Sequence, residues 1–88
     1  MDAPQPNDLI VIDVENTING AVAELELPKH TPMRTLVPAL AEQLHMQPRG
    51  LRMRNKTQGF SYGDMDTLGS TETVEKDFCQ LSGIPIQG

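Results

Sequence analysis

The chain has 88 residues, with 7 basic and 12 acidic side chains and a formal charge of −5. This allows one domain with one modest core, and it argues against nucleic acid as the main partner, because phosphate recognition needs a basic face. The single cysteine rules out an internal disulfide and fits a reducing compartment. The longest apolar run, Leu9 to Ile12, is far too short for a membrane span or a signal-peptide core, so the chain reads as cytoplasmic, without membrane insertion.

Residues 1–8 carry two prolines, an asparagine and two aspartates, which reads as a flexible N-terminal tail. Leu9 to Glu15 is rich in β-branched residues, and Ala21 to Leu27 alternates apolar and polar. Between them lies Asn19-Gly20, a strong signal for a two-residue type I′ hairpin turn. That turn would pair Val14 with Leu25 and Ile12 with Leu27 on an apolar face. Glu15 would face Glu24, and Asp13 would face Glu26, on the other face. A one-residue slip would swap the faces, so the register is expected to be firm. The outer face of four carboxylates is either a solvated surface or a docking surface for a basic partner. No His or Cys sits among these acids to make a metal site.

Thr31-Pro32 reads as a helix start, with Thr31 as the cap and Pro32 at the first helical position. Met33, Leu36, Val37, Leu40, Ala41 and Leu44 then form an apolar stripe, which predicts a helix from Pro32 to about His45. Pro38 falls inside it and removes one helical hydrogen bond. Leu51 to Asn55 alternates again, with Leu51 and Met53 inward and Arg52 and Arg54 outward. Asn55 to Gly59 is a turn, and Phe60 to Tyr62 a short strand. Asp64 to Thr73 reads as a polar surface loop. Val74, Phe78 and Leu81 stand at roughly helical spacing and predict a short helical turn.

A hairpin, a helix laid across it and further short strands make an α+β arrangement. Thr31-Pro32-Met33-Arg34, Leu51-Arg52-Met53-Arg54-Asn55-Lys56 and Leu81-Ser82-Gly83-Ile84 together resemble bacterial ubiquitin-like proteins of the YukD/EsaB type, and more distantly ubiquitin. The resemblance covers residues 9–88 and implies a ubiquitin-like β-grasp domain. It also implies a final central strand, for which the chain has no segment left after Gly88. An unpaired central position leaves open edges. The chain therefore reads as truncated or processed, with two alternatives: a strand donated by a partner, or an unusual route through residues 64–81.

No catalytic constellation is present, and no cofactor is implied. Cys79 reads as a small packing residue without a positioned base, and His30 and His45 as surface residues at element ends. The chain thus reads as a non-enzyme acting through protein–protein contacts. Arg49, Arg52, Arg54 and Lys56 form a basic edge, and Asp13, Glu15, Glu24 and Glu26 the acidic face, as candidate partner-binding residues. A contact built there is salt-sensitive. The resemblance implies a bacterial ubiquitin-like modifier, with Gly88 the conjugation candidate for an adenylating enzyme and a carrier enzyme. It equally allows an accessory protein of type VII secretion, whose partners are the secretion machinery, or the N-terminal ubiquitin-like domain of a larger protein. On the expected alignment Gly88 is the turn glycine before the missing strand.

Overall fold

A computed structural model describes residues 8–47 and 49–83. Six elements follow one another: β1 Leu9–Asn16, β2 Val22–Pro28, α1 Met33–Gln43, β3 Arg52–Asn55, β4 Phe60–Ser61 and β5 Phe78–Ser82. They build a five-stranded sheet of order β2-β1-β5-β3-β4. Of the expected tail, Asp8 is described, and it is tied down: its carbonyl accepts the Lys29 N–H at 2.8 Å, and its carboxylate lies 3.5 Å from His30 Nε2.

The hairpin forms, but not with the expected turn. A type I′ turn needs φ > 0 at both central residues. Here Gly20 has φ 77° and Asn19 does not enter that region. The loop instead spans Thr17 to Gly20, closed by Asn16 N–H to Ala21 C=O at 2.8 Å and Gly20 N–H to Asn16 C=O at 2.7 Å. Two asparagine side chains favour this longer loop. Asn16 Oδ1 accepts from Ile18 N–H, and Asn19 Oδ1 from Ala21 N–H, each at 2.9 Å. The register moves by two residues, pairing Ile12 with Leu25 and Val14 with Ala23. An even shift preserves the faces, so Ile10, Ile12 and Val14 still point into the core.

The helical stripe packs as expected. Met33, Leu36, Leu40 and Ala41 are buried, with Val37 and Leu44 packed against the core beside them. Pro38 sits inside α1 without ending it. The start differs from expectation. Pro32 is the N-cap and no side chain caps the helix. Carbonyls from the loop before β5 do so instead: Met33 N–H donates to Asp66 C=O and Arg34 N–H to Asp64 C=O, both at 2.9 Å. At the other end the Met46 N–H donates to Ala41 C=O at 2.8 Å and the His45 N–H to Glu42 C=O at 3.3 Å. This is a Schellman closure, and it puts His45 at the left-handed position, φ 56°, where glycine is usual.

The largest correction concerns residues 74–82. Val74 to Leu81 is not a helical turn. Phe78–Ser82 is a strand, and it runs parallel to β1 and antiparallel to β3 between them. The central strand expected to be missing is therefore β5, and the sheet has no vacant centre. Helical spacing misled because Val74 and Phe78 are not core residues; Val74 is 58% exposed. The core members are Cys79 and Leu81, two apart and both fully buried. The loop from Asp64 to Thr73 is likewise not all surface, since Leu68 is fully buried.

His45 is exposed, so its side chain contributes little while its backbone conformation costs roughly 1–2 kcal/mol for an L-residue. His45→Gly is expected to raise unfolding stability by about 1 kcal/mol. Urea denaturation measures it, and a lower midpoint would mean that the imidazole makes a contact worth more than the strain.

Candidate protein-interaction face

Residues paired directly across a sheet point to the same face. The pairs Glu15↔Gln80 and Gln80↔Arg54 therefore set Glu15, Gln80 and Arg54 in one row across β1, β5 and β3. Asp13 pairs with Glu24 on one side and Phe78 on the other, and Arg52 pairs with Ser82. The outer face is thus divided. Asp13, Glu15, Glu24 and Glu26 lie on the β1–β2 half, Arg52 and Arg54 on the β3 half, with Phe78, Gln80 and Ser82 between. Arg49 and Lys56 flank β3 in exposed turns. The structure therefore brings the four acidic candidates and Arg52 and Arg54 onto one continuous face, with an acidic and a basic half, and leaves Arg49 and Lys56 in the turns beside it.

The shifted register changes the acidic half. Of the two opposed carboxylate pairs expected, neither forms. Asp13 faces Glu24, Glu15 faces Val22, and Glu26 faces Val11. Two neighbours offset the remaining charge. Lys76 Nζ lies 2.8 Å from Glu24 Oε2, and that hydrogen bond, with Glu24's charge, holds the ammonium above the usual lysine pKa. Gln80 Nε2 donates to Glu15 Oε1 at 2.8 Å. Among the described residues the arginines on β3 take no carboxylate partner, so their charge is available to a ligand.

Behind the face lies a polar cluster with no clear sequence signature. Asn55 and Asp77 are buried at 0% and 2% exposure. Asp77 Oδ2 accepts from Asn55 Nδ2 at 2.9 Å, Gln58 Nε2 at 2.7 Å and the Val74 N–H at 3.1 Å. Asn55 Nδ2 also reaches Tyr62 Oη at 3.1 Å, and Tyr62 Oη bonds Thr73 Oγ1. Burial drives the Asp77 pKa upward, but the three donors outweigh it and leave it below the usual aspartate value. Burial pushes Tyr62 up to about 12 and Cys79 up to about 11. Cys79 is therefore a protonated core thiol 3.8 Å from Tyr62 Oη, as its packing role requires. His30 and His45 are both exposed. Among the described residues no group of three or more His, Cys, Asp or Glu side chains is placed to hold a metal, and no helix is long and apolar enough to cross a membrane. Gly88 lies outside the described residues.

This architecture is a ubiquitin-like β-grasp. No protein-family model matches the chain, and no curated protein matches it. Solved structures do. An N-terminal ubiquitin-like domain of the 4931431F19Rik protein superposes with a TM-score of 0.75 at 16% identity, over 100% of this chain and 88% of its own. Caldiarchaeum subterraneum ubiquitin gives 0.72 at 18% identity, over 91% and 99%. A protein designed de novo on the basis of ubiquitin gives 0.70 at 19%, over 88% and 89%. At these identities the likeness is one of fold.

Asp77→Ala leaves the Gln58 amide and the Val74 N–H without their carboxylate, and is expected to cost about 2–4 kcal/mol. The carboxylate's contribution is present above the unfolded-state pKa, near 4, and is lost as pH falls through the lower folded value. The variant should therefore lose less stability than the native chain as the pH falls below about 4. Parallel acid limbs in chemical denaturation would overturn this. Separately, Cys79 should resist a thiol reagent in the folded protein and react fully in guanidinium; fast native labelling would contradict its burial.

Proposed function

We propose that the protein is a non-enzymatic ubiquitin-like protein that works through protein–protein contacts, as a bacterial modifier activated at Gly88 by an adenylating enzyme. The observation that carries the reading is the place of β5. Because Phe78–Ser82 already fills the sheet centre, Gly88 comes six positions after the last residue of β5. The central strand that the family resemblance expects is thus already present before Gly88, so Gly88 is not needed as the turn that leads into it. A glycine carboxylate suits activation because it brings no side chain into a narrow site. The adenylating enzyme joins that carboxylate to the adenylyl group of ATP and releases pyrophosphate. The acyl group then passes to a carrier thiol, which displaces AMP and forms a thioester, and on to a target amine, which forms an amide and frees the thiol. The divided outer face supplies oriented contacts with the activating and carrier enzymes, since unlike charges on two halves of one face fix the direction of docking.

A second reading rests on the same face: binding without conjugation, as an accessory protein of type VII secretion in the YukD/EsaB manner, or as a ubiquitin-like domain within a longer protein. Unpaired β3 arginines serve a binding role equally well.

Incubation of the tagged protein in native lysate with ATP separates the readings. The modifier reading expects higher-mass adducts that vanish in Gly88→Val. No adducts from the native sequence removes it and leaves binding alone; adducts that survive in the variant would place the linkage elsewhere. In both readings the pair Arg52→Glu and Arg54→Glu should weaken partner capture at least tenfold and flatten its salt dependence, with an unchanged melting curve. Unchanged capture would show that the basic half is not the contact.

A further inference from the structure

The two ends of β3 differ in how they are covered. β4 pairs with it at Arg54↔Ser61 and Asn55↔Phe60, and Tyr62 N–H donates to Met53 C=O at 3.0 Å. The chain then leaves. Gly63 N–H turns to the Asp66 carboxylate at 2.8 Å, and the carbonyls of Asp64 and Asp66 go to the amides that open α1. Covering the helix end takes the strand away from the start of β3. Backbone groups two residues apart in a strand point the same way. Leu51 therefore presents its N–H and C=O on the side where Met53 meets Tyr62. Neither group of Leu51 has a hydrogen-bond partner among the described residues.

That bare edge opens on a groove of about 520 Å³ between β3 and α1. Met33, Val37, Pro38, Leu51, Met53 and Tyr62 supply its apolar surface, within a lining that is more polar than apolar as a whole. Arg34 and Arg52 stand at its rim against one acid, Asp64. Neither arginine is in an ion pair among the described residues. On a chain of net charge −5 this is a locally cationic mouth over a floor of mixed polarity, beside the unpaired backbone of Leu51 just ahead of β3.

We propose that this groove takes an extended peptide segment of a partner protein, with one large apolar side chain flanked by acidic residues. The peptide adds to the Leu51 edge by main-chain hydrogen bonds, and its apolar residue fills the groove over Val37 and Met53. Its carboxylates meet Arg34 and Arg52. Strand addition supplies affinity, and the alternate side chains supply selection. The site opens toward the helix side of the sheet, shares Arg52 with the basic half of the outer face, and does not depend on conjugation.

Titration of the ¹⁵N-labelled full chain, followed by NMR, tests it. The probes are the heptapeptide Glu-Glu-Val-Phe-Val-Glu-Glu and its counterpart with lysines in place of the glutamates. The expected result is saturable shifts centred on Val37, Leu51, Met53 and Gly63, slowed exchange of the Leu51 amide, and at least fivefold preference for the acidic peptide. Arg34→Glu with Arg52→Glu should reverse that preference. Both side chains are exposed, so the fold should persist; if it does not, the two peptides on the native sequence still decide. Absence of saturable shifts, equal binding of both peptides, or shifts centred on β2 would overturn the proposal. So would the same shifts appearing, without peptide, on comparing the full chain with one lacking residues 84–88, because the groove would then belong to the chain's own segment.

Discussion

The structure depends on the insertion of β5 between β1 and β3. Cys79 and Leu81 are fully buried there, and among the described residues the strand joins the hairpin half of the sheet to the β3–β4 half. A parallel pairing with β1 is not a local event, since it joins residues more than sixty positions apart, and the loop entropy must be offset by specific anchors. The Asp77 cluster is one such anchor. It ties the turn after β3, through Asn55 and Gln58, to the segment entering β5. Just ahead of it, the Lys76 N–H donates to Val11 C=O at 2.8 Å, and the Asp13 N–H to Asp77 C=O at 3.0 Å. These extend the β1 side of the ladder beyond β5 itself. A charge buried this deeply costs free energy unless it is fully hydrogen-bonded; here the donors come from β3, the turn after it and the segment entering β5, so satisfying the carboxylate and docking β5 against β3 are one event.

Local periodicity was enough wherever the partner of an element is near in sequence. The stripe from Met33 to Leu44 and the alternation from Leu51 to Asn55 both hold in the structure, because each element shows a single apolar face to one core. Three features were not legible. The hairpin loop turned on two asparagine side chains competing with the Asn-Gly turn, and dipeptide preference does not weigh that competition. The α1 cap came from carbonyls about thirty residues away, which no local signal from Thr31 could reveal. For β5, the outward Phe78 and the buried Asp77 disguise the two-residue period of Cys79 and Leu81. Apolar outside and polar inside is the reverse of the pattern from which strands are read. The site followed suit: the charged residues of the outer face were visible, because strand alternation alone put them outward. The division of that face into halves was not, because it depends on which strand lies between β1 and β3.

With Gln80 as spacer, Glu15 and Arg54 lie two strand spacings apart, about 10 Å, close to one Debye length at 0.1 M salt. They are too far apart to form an ion pair, and near enough for each to orient an approaching charge. Gln80 hydrogen-bonds Glu15 and leaves Arg54 free. A charged residue in its place would extend one half at the expense of the other, whereas a neutral amide keeps both. The face is thus a divided charged surface rather than an apolar patch, and charges arranged in this way act on orientation and encounter rate more than on buried area.

The same topology links the face to the chain beyond the sheet. Arg52 pairs with Ser82, so β5 ends beside the basic half and away from the Glu24–Glu26 end of the hairpin. Gly83 is packed here: a Cβ on it would stand 3.3 Å from Leu51 Cδ2 and 3.7 Å from Ile18 Cδ1. A side chain at 83 would press on Leu51, the residue whose backbone edge borders the α1 groove. The position of a single strand thus sets the basic half of the face next to the mouth of the groove, and gives an anionic chain a local cationic corner.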